Sequence, residues 1–206
     1  MPKTAVITVA NASTTSLSTF HDQMVLEVPK ILERWAFDLK VFRSNNSQSV
    51  SNQTSFLFNI NFEHENSSNV TIIENTAIIS KSSPSSALLE SGAASGTGDS
   101  LDSIILSKFQ SLWLVRQTLK VENGYSYELM DGEIVVRAVN VFLNGSFKNF
   151  LIIVEDRGVK ASNEERFNQL IQRFNLPKGS IYMKGFNTEG EYLKDLAYQI
   201  VQSLQF

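Results

Sequence analysis

The chain has 206 residues, 42% of them hydrophobic, and its 18 basic and 21 acidic side chains give a net charge of −3. This length is sufficient for a large domain with a sizeable buried core. There is no cysteine, which excludes disulfides and thiolate metal sites. Without a run rich in Lys and Arg we expect no direct binding to nucleic acid, and no apolar stretch approaches the roughly 20 residues of a membrane span.

The first half of the chain predicts one helix and several strands. Thr4–Ala10 is short and β-branched, which is typical of a buried strand. Apolar residues at helical spacing predict a helix over Ser13–Val28, with Val28 on its buried face. Alternation of apolar and polar residues then predicts strands at Trp35–Arg43 and Phe56–Glu63. Val70–Ser80 is predicted as a further strand, either continuous or broken at Glu74-Asn75.

The second half begins after a segment of different composition. Residues 81–99 are small, polar and Gly-rich, which predicts a flexible linker between two halves. An apolar helix face that includes Ile105, Phe109 and Leu112 follows the linker. The pairs Asn123-Gly124 and Asp131-Gly132 are typical of hairpin turns and predict a three-stranded meander.

The last third predicts two buried strands and two helices. The strands Glu133–Leu143 and Phe147–Glu155 are predicted to be joined by a turn at Asn144-Gly145-Ser146. They are apolar on both faces, so we expect a cover on each side, one of them a helix or a partner protein. Helices are predicted at about 162–174 and 189–204. We therefore predict a single α+β domain, residues 1–206. Its expected architecture is a mostly antiparallel, closed or partly open β-barrel of about eight strands, in two βα-plus-meander halves flanked by helices.

Few residues offer catalytic chemistry. Glu63-His64-Glu65 ends one strand, and glutamates that alternate along strands hold the divalent metal of tunnel-type phosphohydrolases. However, strand residues 133–155 present Val, Ile, Leu and Phe where further acids would be needed. His21 lies beside Asp22 without a Ser or Cys in a nucleophile context. We expect no catalytic residue, no metal ligand and no cofactor.

A protein interface is the alternative use for conspicuous side chains. Arg116 and Arg137 interrupt apolar strands, either as surface charges near Glu128 or as interface arginines. Trp113, at a helix–strand junction, belongs either to the core or to such an interface. Phe142 is flanked by polar residues and is a candidate anchor at an exposed strand end. The candidate partner interface therefore contains Trp113, Arg116, Arg137, Asn140 and Phe142.

Several strings resemble the Mediator complex subunit 20 family in its fungal form. They are AVITVA near the start, WAFDLKVFR at 35–43, the run from SLDSIILSKF to NFLIIVE at 100–155, and DLAYQIVQSL at 195–204. None is a catalytic signature, so the resemblance depends on the ordered combination. Residues 45–99 and 157–188 carry little of it.

The resemblance implies a helix-flanked barrel and a non-enzymatic subunit of the Mediator head module, a coactivator of RNA polymerase II. The implied direct partner is Mediator subunit 18. Subunit 8, the rest of the head module, RNA polymerase II and the TATA-binding protein are further implied partners. A nuclear location and a role in regulating transcription initiation would follow. The residues alone leave open a divalent-metal phosphohydrolase of the triphosphatase-tunnel type and a free-standing ligand-binding barrel.

Overall fold

A computed structural model describes residues 3–45, 54–63, 68–81, 101–158, 163–187 and 190–206. The chain forms two compact units. Unit one comprises Met1–Ala36 and Lys120–Phe206, and unit two comprises Phe37–Leu119. Nearly all of the predicted linker at 81–99 lies outside the described residues, and the single domain 1–206 stays a prediction.

Ten strands and four α-helices are found in the described ranges. In chain order they are β1 (Thr4–Val9), α1 (Ser16–Val25), β2 (Lys30–Ile31), β3 (Trp35–Ser44), β4 (Phe56–Phe62), β5 (Ser68–Ile73), β6 (Thr76–Lys81), α2 (Leu101–Lys108), β7 (Trp113–Leu129), β8 (Ile134–Leu143), β9 (Ser146–Asp156), α3 (Glu164–Arg173), β10 (Gly179–Tyr182) and α4 (Tyr192–Leu204). About eight strands were predicted. The break considered at Glu74-Asn75 divides Val70–Ser80 into β5 and β6, and the two strands predicted around Asn123-Gly124 are a single strand, β7. The strands β2 and β10 are too short to produce an alternating pattern.

The sheet of unit one has the strand order β10, β1, β9, β8 and the C-terminal part of β7. β1 lies antiparallel between β10 and β9, and β9 is antiparallel to β8. The short strand β2 pairs with β7, where Lys30 is opposite Glu128 and Ile31 is opposite Tyr127. Because the first strand pairs with strands near the other end of the chain, the units do not coincide with the two predicted halves.

Both faces of the unit-one sheet are covered by helices. On one face, Ala5 and Ile7 of β1 share a core with Phe20 of α1 and Phe167 of α3. Side chains alternate between the faces of a strand, so Thr4 and Thr8 point the other way. Both reach α4: Thr4 Oγ1 donates to Gln199 Oε1 (2.8 Å), and Thr8 Oγ1 donates to the Ser203 carbonyl (3.2 Å). The predicted two-sided cover is thus found for this sheet, and helices of the chain itself contribute to both sides.

Unit two contains an antiparallel meander of β3, β4, β5 and β6. A small core joins Phe42, Leu57 and Ile105, with Trp113 packed against it. Asn59 and Asn69 lie opposite Thr71 and Asn61, and their buried side chains form two hydrogen bonds to each other of 2.7 and 2.9 Å. These polar groups are satisfied, so their burial carries little penalty.

The α+β, mostly antiparallel character predicted from the sequence is confirmed. The closed form of the barrel is not found among the described strands, because the strand order ends at β10 in unit one and at β6 in unit two. The predicted helices near 162–174 and 189–204 correspond to α3 and α4. Asn163 caps α3 by accepting a hydrogen bond from the Arg166 N–H at 2.9 Å, and Ser162 lies outside the described residues.

The predicted turn at Asn123-Gly124 is wrong, because β7 continues through it as one 17-residue strand. Asn123 has a left-handed φ of 57°, a conformation that Asn adopts more readily than most residues. At Gly124 a Cβ atom would collide with Val139 Cγ1 and lie 2.7 Å from the Trp35 carbonyl oxygen. The glycine is therefore required for close packing and does not mark a hairpin.

The other two turns are confirmed. Met130–Gly132 forms a tight turn between β7 and β8, with positive φ at all three residues. It begins one residue before the predicted Asp131-Gly132 pair. Asn144 and Gly145, also at positive φ, connect β8 to β9 where Leu143 pairs with Ser146. This is the two-residue hairpin for which Asn-Gly is the preferred sequence.

Candidate protein-interaction surface

An ordered apolar surface extends from the end of α2 into the start of β7 in unit two. Its five members each expose between 39% and 52% of their area: Leu106, Phe109, Leu112, Leu114 and Val115. We call this set the α2–β7 surface. Sequence reasoning assigned Phe109 and Leu112 to a buried helix face, and the exposed pair Leu114 and Val115 was missed. The sequence did contain one signal for their exposure: Arg116, a charged residue, directly follows them and interrupts the apolar strand.

The backbone holds the α2–β7 surface in place. The Phe109 carbonyl accepts hydrogen bonds from the N–H groups of both Leu112 and Trp113, each at 2.9 Å. The Leu112 carbonyl in turn accepts the Asn45 N–H at 2.7 Å. The junction between helix and strand is therefore a fixed turn, and its side chains are displayed in a defined arrangement.

Two of the predicted interface residues belong to this region. Trp113 is half-buried and packs against the small core of unit two. Arg116 is exposed, and its guanidinium carbon lies 5.2 Å from the centre of the Phe56 ring. A cation–π contact of this kind restricts the arginine without consuming its hydrogen-bond donors. Trp113 and Arg116 thus flank exposed apolar side chains, a composition favoured in protein interfaces.

Phe142 lies in unit one, near the end of β8. It is half-buried and meets Phe147 edge to face, with ring centres 6.2 Å apart. The pairing of β8 with β9 is irregular between Val141 and Phe142. Phe142 therefore retains some exposed area at a strand end, as predicted, but belongs to a different unit from Trp113 and Arg116.

Arg137 is not a surface charge near Glu128, because it is only 5% exposed. Its Nη1 donates to Glu155 Oε2 at 2.7 Å, and Arg157 Nε donates to Glu155 Oε1 at 2.8 Å. Burial alone would raise the pKa of Glu155, but the two guanidinium groups outweigh it and hold that pKa below its usual value. The Arg137 side chain is therefore committed to an ion pair inside unit one.

Asn140 is also buried, at 7% exposure. Its Nδ2 donates to the Thr14 carbonyl at 2.9 Å, which ties β8 to the segment that precedes α1. The surface placement expected for Arg137 and Asn140 is corrected for the same reason in both cases. β8 is covered on both faces, so the Arg137 guanidinium and the Asn140 amide nitrogen bind partners within the chain.

The described residues give little support for a metal-dependent phosphohydrolase or for another catalytic site. Within the described ranges, no three His, Asp or Glu side chains come together as metal ligands. Glu63 is described and exposed, whereas His64 and Glu65 lie outside the described residues. His21 is placed against aromatic rings, with its Nδ1 2.9 Å from the Tyr127 hydroxyl. No helix among the residues described is long and apolar enough to cross a membrane.

Ordered elements that display apolar side chains beside an arginine are typical of the class of proteins that bind other proteins. The sequence matches, over residues 1–205, the family described as "TATA-binding related factor (TRF) of subunit 20 of Mediator complex". The chain therefore belongs to the Mediator subunit 20 family. Proteins of this family are structural components of a transcription coactivator and are not enzymes.

Three similar proteins carry the name of this subunit, and each match covers most of both chains. "Mediator of RNA polymerase II transcription subunit 20" of Eremothecium gossypii is 30% identical and covers 99% of this chain and 100% of its own. The Debaryomyces hansenii protein of that name is 32% identical, covering 86% and 88%. The Saccharomyces cerevisiae protein is 27% identical, covering 100% of both chains.

A chain in the structure of the Schizosaccharomyces pombe Mediator head module gives a weak likeness. Its TM-score is 0.41 at 9% identity, covering 86% of this chain and 96% of that one. A likeness at this level supports no argument about the fold or its partners. The family assignment depends on the sequence matches alone.

Proposed function

We propose that this chain is a subunit of the Mediator head module that pairs directly with Mediator subunit 18. Through that pair, and through Mediator subunit 8, it joins the rest of the head module. It helps to regulate initiation by RNA polymerase II in the nucleus, where the polymerase and the TATA-binding protein are further contacts. Membership of the Mediator subunit 20 family supports this role.

The α2–β7 surface is the observation that carries the proposal. Exposed apolar side chains on a fixed backbone are stabilised when a partner removes them from water, by about 25 cal/mol per Å². Leu114 and Val115 are adjacent in a strand and therefore point to opposite faces, yet both are exposed. A partner that binds here covers both faces of the start of β7, with Trp113 and Arg116 as the anchoring side chains.

The test is a mixture of this chain with Mediator subunit 18 of the same species, analysed by size exclusion with light scattering and by calorimetry. We expect a stable one-to-one complex. The substitution Val115→Asp places a charge in the apolar contact and should weaken binding at least tenfold. Arg116→Ala should weaken it by a smaller factor.

Ile78→Asp is the matched control, because Ile78 is a strand residue of the same unit with 51% exposure and lies outside the α2–β7 surface. It should bind subunit 18 as the unchanged chain does. Two results contradict the proposal. One is a monomer that ignores subunit 18 at micromolar concentrations, and the other is equal binding by the Val115→Asp and Ile78→Asp variants.

A further inference from the structure

A second exposed apolar surface lies in unit one, between the end of α1 and the start of β2. Val25, Leu26, Val28 and Ile31 lie within seven consecutive residues, and their exposures are 44%, 80%, 88% and 57%. We call this set the α1–β2 surface. Val28 was predicted to be on the buried face of a longer helix, but α1 ends at Val25. The following residues turn away from the helix.

Val28 adopts a backbone conformation that its side chain disfavours. Its φ is 51°, and a β-branched residue in the left-handed region is a genuine outlier. Its N–H donates to the Val25 carbonyl at 3.1 Å, which completes the turn after α1. With 88% of the residue exposed, burial within this chain does little to offset the strain. Strain of this kind concentrates at ligand-binding segments.

The structure around the α1–β2 surface holds it rigidly. The Leu32 N–H donates to the Ser126 carbonyl at 2.9 Å, next to the pairing of β2 with β7. The Arg34 guanidinium lies 3.8 Å from the centre of the Tyr125 ring, and the His21 ring lies 4.1 Å from it. Two groups this close occupy opposite faces of the ring, so α1 and the segment after β2 are clamped together. The exposed apolar side chains are therefore presented in a fixed arrangement.

The charges near the surface are mostly negative. Asp22, Glu27 and Glu33 are exposed and have no ion pair with any residue the structure describes. The two nearby cations keep their charges: Lys30 pairs with Glu128 at 3.1 Å, and Arg34 stacks on Tyr125. With Glu128 counted, four carboxylates outnumber these two cations. Such a surface repels phosphate groups of nucleic acids and anionic lipids, and attracts cationic side chains.

We propose that the α1–β2 surface binds a basic, amphipathic segment of a partner protein. The apolar side chains of that segment cover Leu26, Val28 and Ile31, and its Lys or Arg side chains meet the carboxylates of Glu27 and Glu33. This surface is distinct from the α2–β7 surface, so either one can be removed without removing the other.

The test uses the full chain and two labelled amphipathic peptides of about 18 residues, one of Leu and Lys and one of Leu and Glu, followed by fluorescence anisotropy. We expect the Leu-Lys peptide to bind at least tenfold more tightly than the Leu-Glu peptide. The double substitution Glu27→Gln and Glu33→Gln should reduce that preference to threefold or less. The Val115→Asp variant should bind the Leu-Lys peptide as the unchanged chain does.

Val28→Gly separates a binding role from a structural one. Glycine adopts positive φ without strain, so the variant should melt no lower than the unchanged chain while it binds the Leu-Lys peptide at least fivefold more weakly. Unchanged binding by Val28→Gly overturns the proposal, as does equal affinity for the two peptides. A dimer of the chain alone that is lost on Leu26→Ser also overturns it, because the occupant is then a second copy.

Discussion

β8 and the start of β7 are both apolar in sequence, yet they have opposite environments. Residues Ile134–Val141 of β8 are all buried. In contrast, Leu114 and Val115 of β7 are exposed although they point to opposite faces. A doubly apolar strand therefore shows only that both of its faces need a cover. In β8 the chain itself supplies that cover, with helices α1 and α3 on one of the two faces, and at the start of β7 we propose that another protein supplies it.

The largest effect on stability is expected from a substitution in the buried strands, at the ion pair of Arg137 and Glu155. Glu155→Leu leaves Arg137 buried without its counter-charge, so the free energy of unfolding should fall by roughly 3–5 kcal/mol. Chemical denaturation monitored by circular dichroism measures the change. The double variant Arg137→Met with Glu155→Leu is the control, since an apolar pair of similar volume should recover most of the loss. A double variant as unstable as the single one would contradict this account.

The same pair should make stability depend on pH. Because the folded pKa of Glu155 is below its ordinary value of 4.5, its stabilising contribution is complete above that pH and is lost as the pH falls through the folded pKa. As the pH falls below that ordinary value, the unfolding free energy of the unchanged chain should therefore decrease more than that of the double variant. Parallel pH profiles would show that the ion pair contributes nothing.

A smaller effect is expected where β7 packs against β8. Gly124→Ala forces a Cβ against Val139 and the Trp35 carbonyl oxygen, and overpacking against backbone should cost about 2–3 kcal/mol. Gly158→Ala is the matched control. Its Cβ would meet the Glu133 side chain at 3.3 Å, and that side chain can move aside. Thermal denaturation of the two variants should differ clearly, and equal melting temperatures would refute the packing role of Gly124.

The smallest effect on stability is expected when valine is replaced by threonine, once in β8 and once at the start of β7. Val139→Thr buries a hydroxyl at a fully buried position and should cost about 1–3 kcal/mol. Val115→Thr keeps the same shape at a position that is 45% exposed and should change stability by no more than about 0.5 kcal/mol. Urea denaturation of both variants provides the measurement. If the two substitutions cost the same, the environments of the strands do not differ as described.

Local patterns were enough to predict most of the strands and helices. Asn144-Gly145 predicted a hairpin correctly, whereas Asn123-Gly124 predicted one that does not exist. The two pairs have the same sequence for different reasons. At the first pair, Asn123 adopts a left-handed conformation, and Gly124 allows a close contact that a larger residue would prevent. That contact involves Trp35 and Val139, which are distant in sequence. The difference therefore depends on tertiary packing.

The candidate surface could be predicted only in part. Trp113 and Arg116 were selected because they stand out within apolar segments. The exposure of Leu114 and Val115 could not be predicted, because it depends on where the other elements of the fold lie. Arg137 was misplaced because its burial requires Glu155 on the neighbouring strand. The doubly apolar pattern of β8 already indicated an interior position and was the signal that could have corrected the interpretation.

The position of β1 between β9 and β10 determines when β1 can pair while the chain is being synthesised. Unit two is continuous in the chain, so all of its residues are present once Leu119 has been made. β1 is made first, yet the strands on either side of it come from the last third of the chain. At about 5–20 residues per second, β1 waits roughly 7–30 seconds for β9. During that interval β1 lacks its native neighbours, so its apolar side chains and unpaired backbone groups are open to non-native contacts.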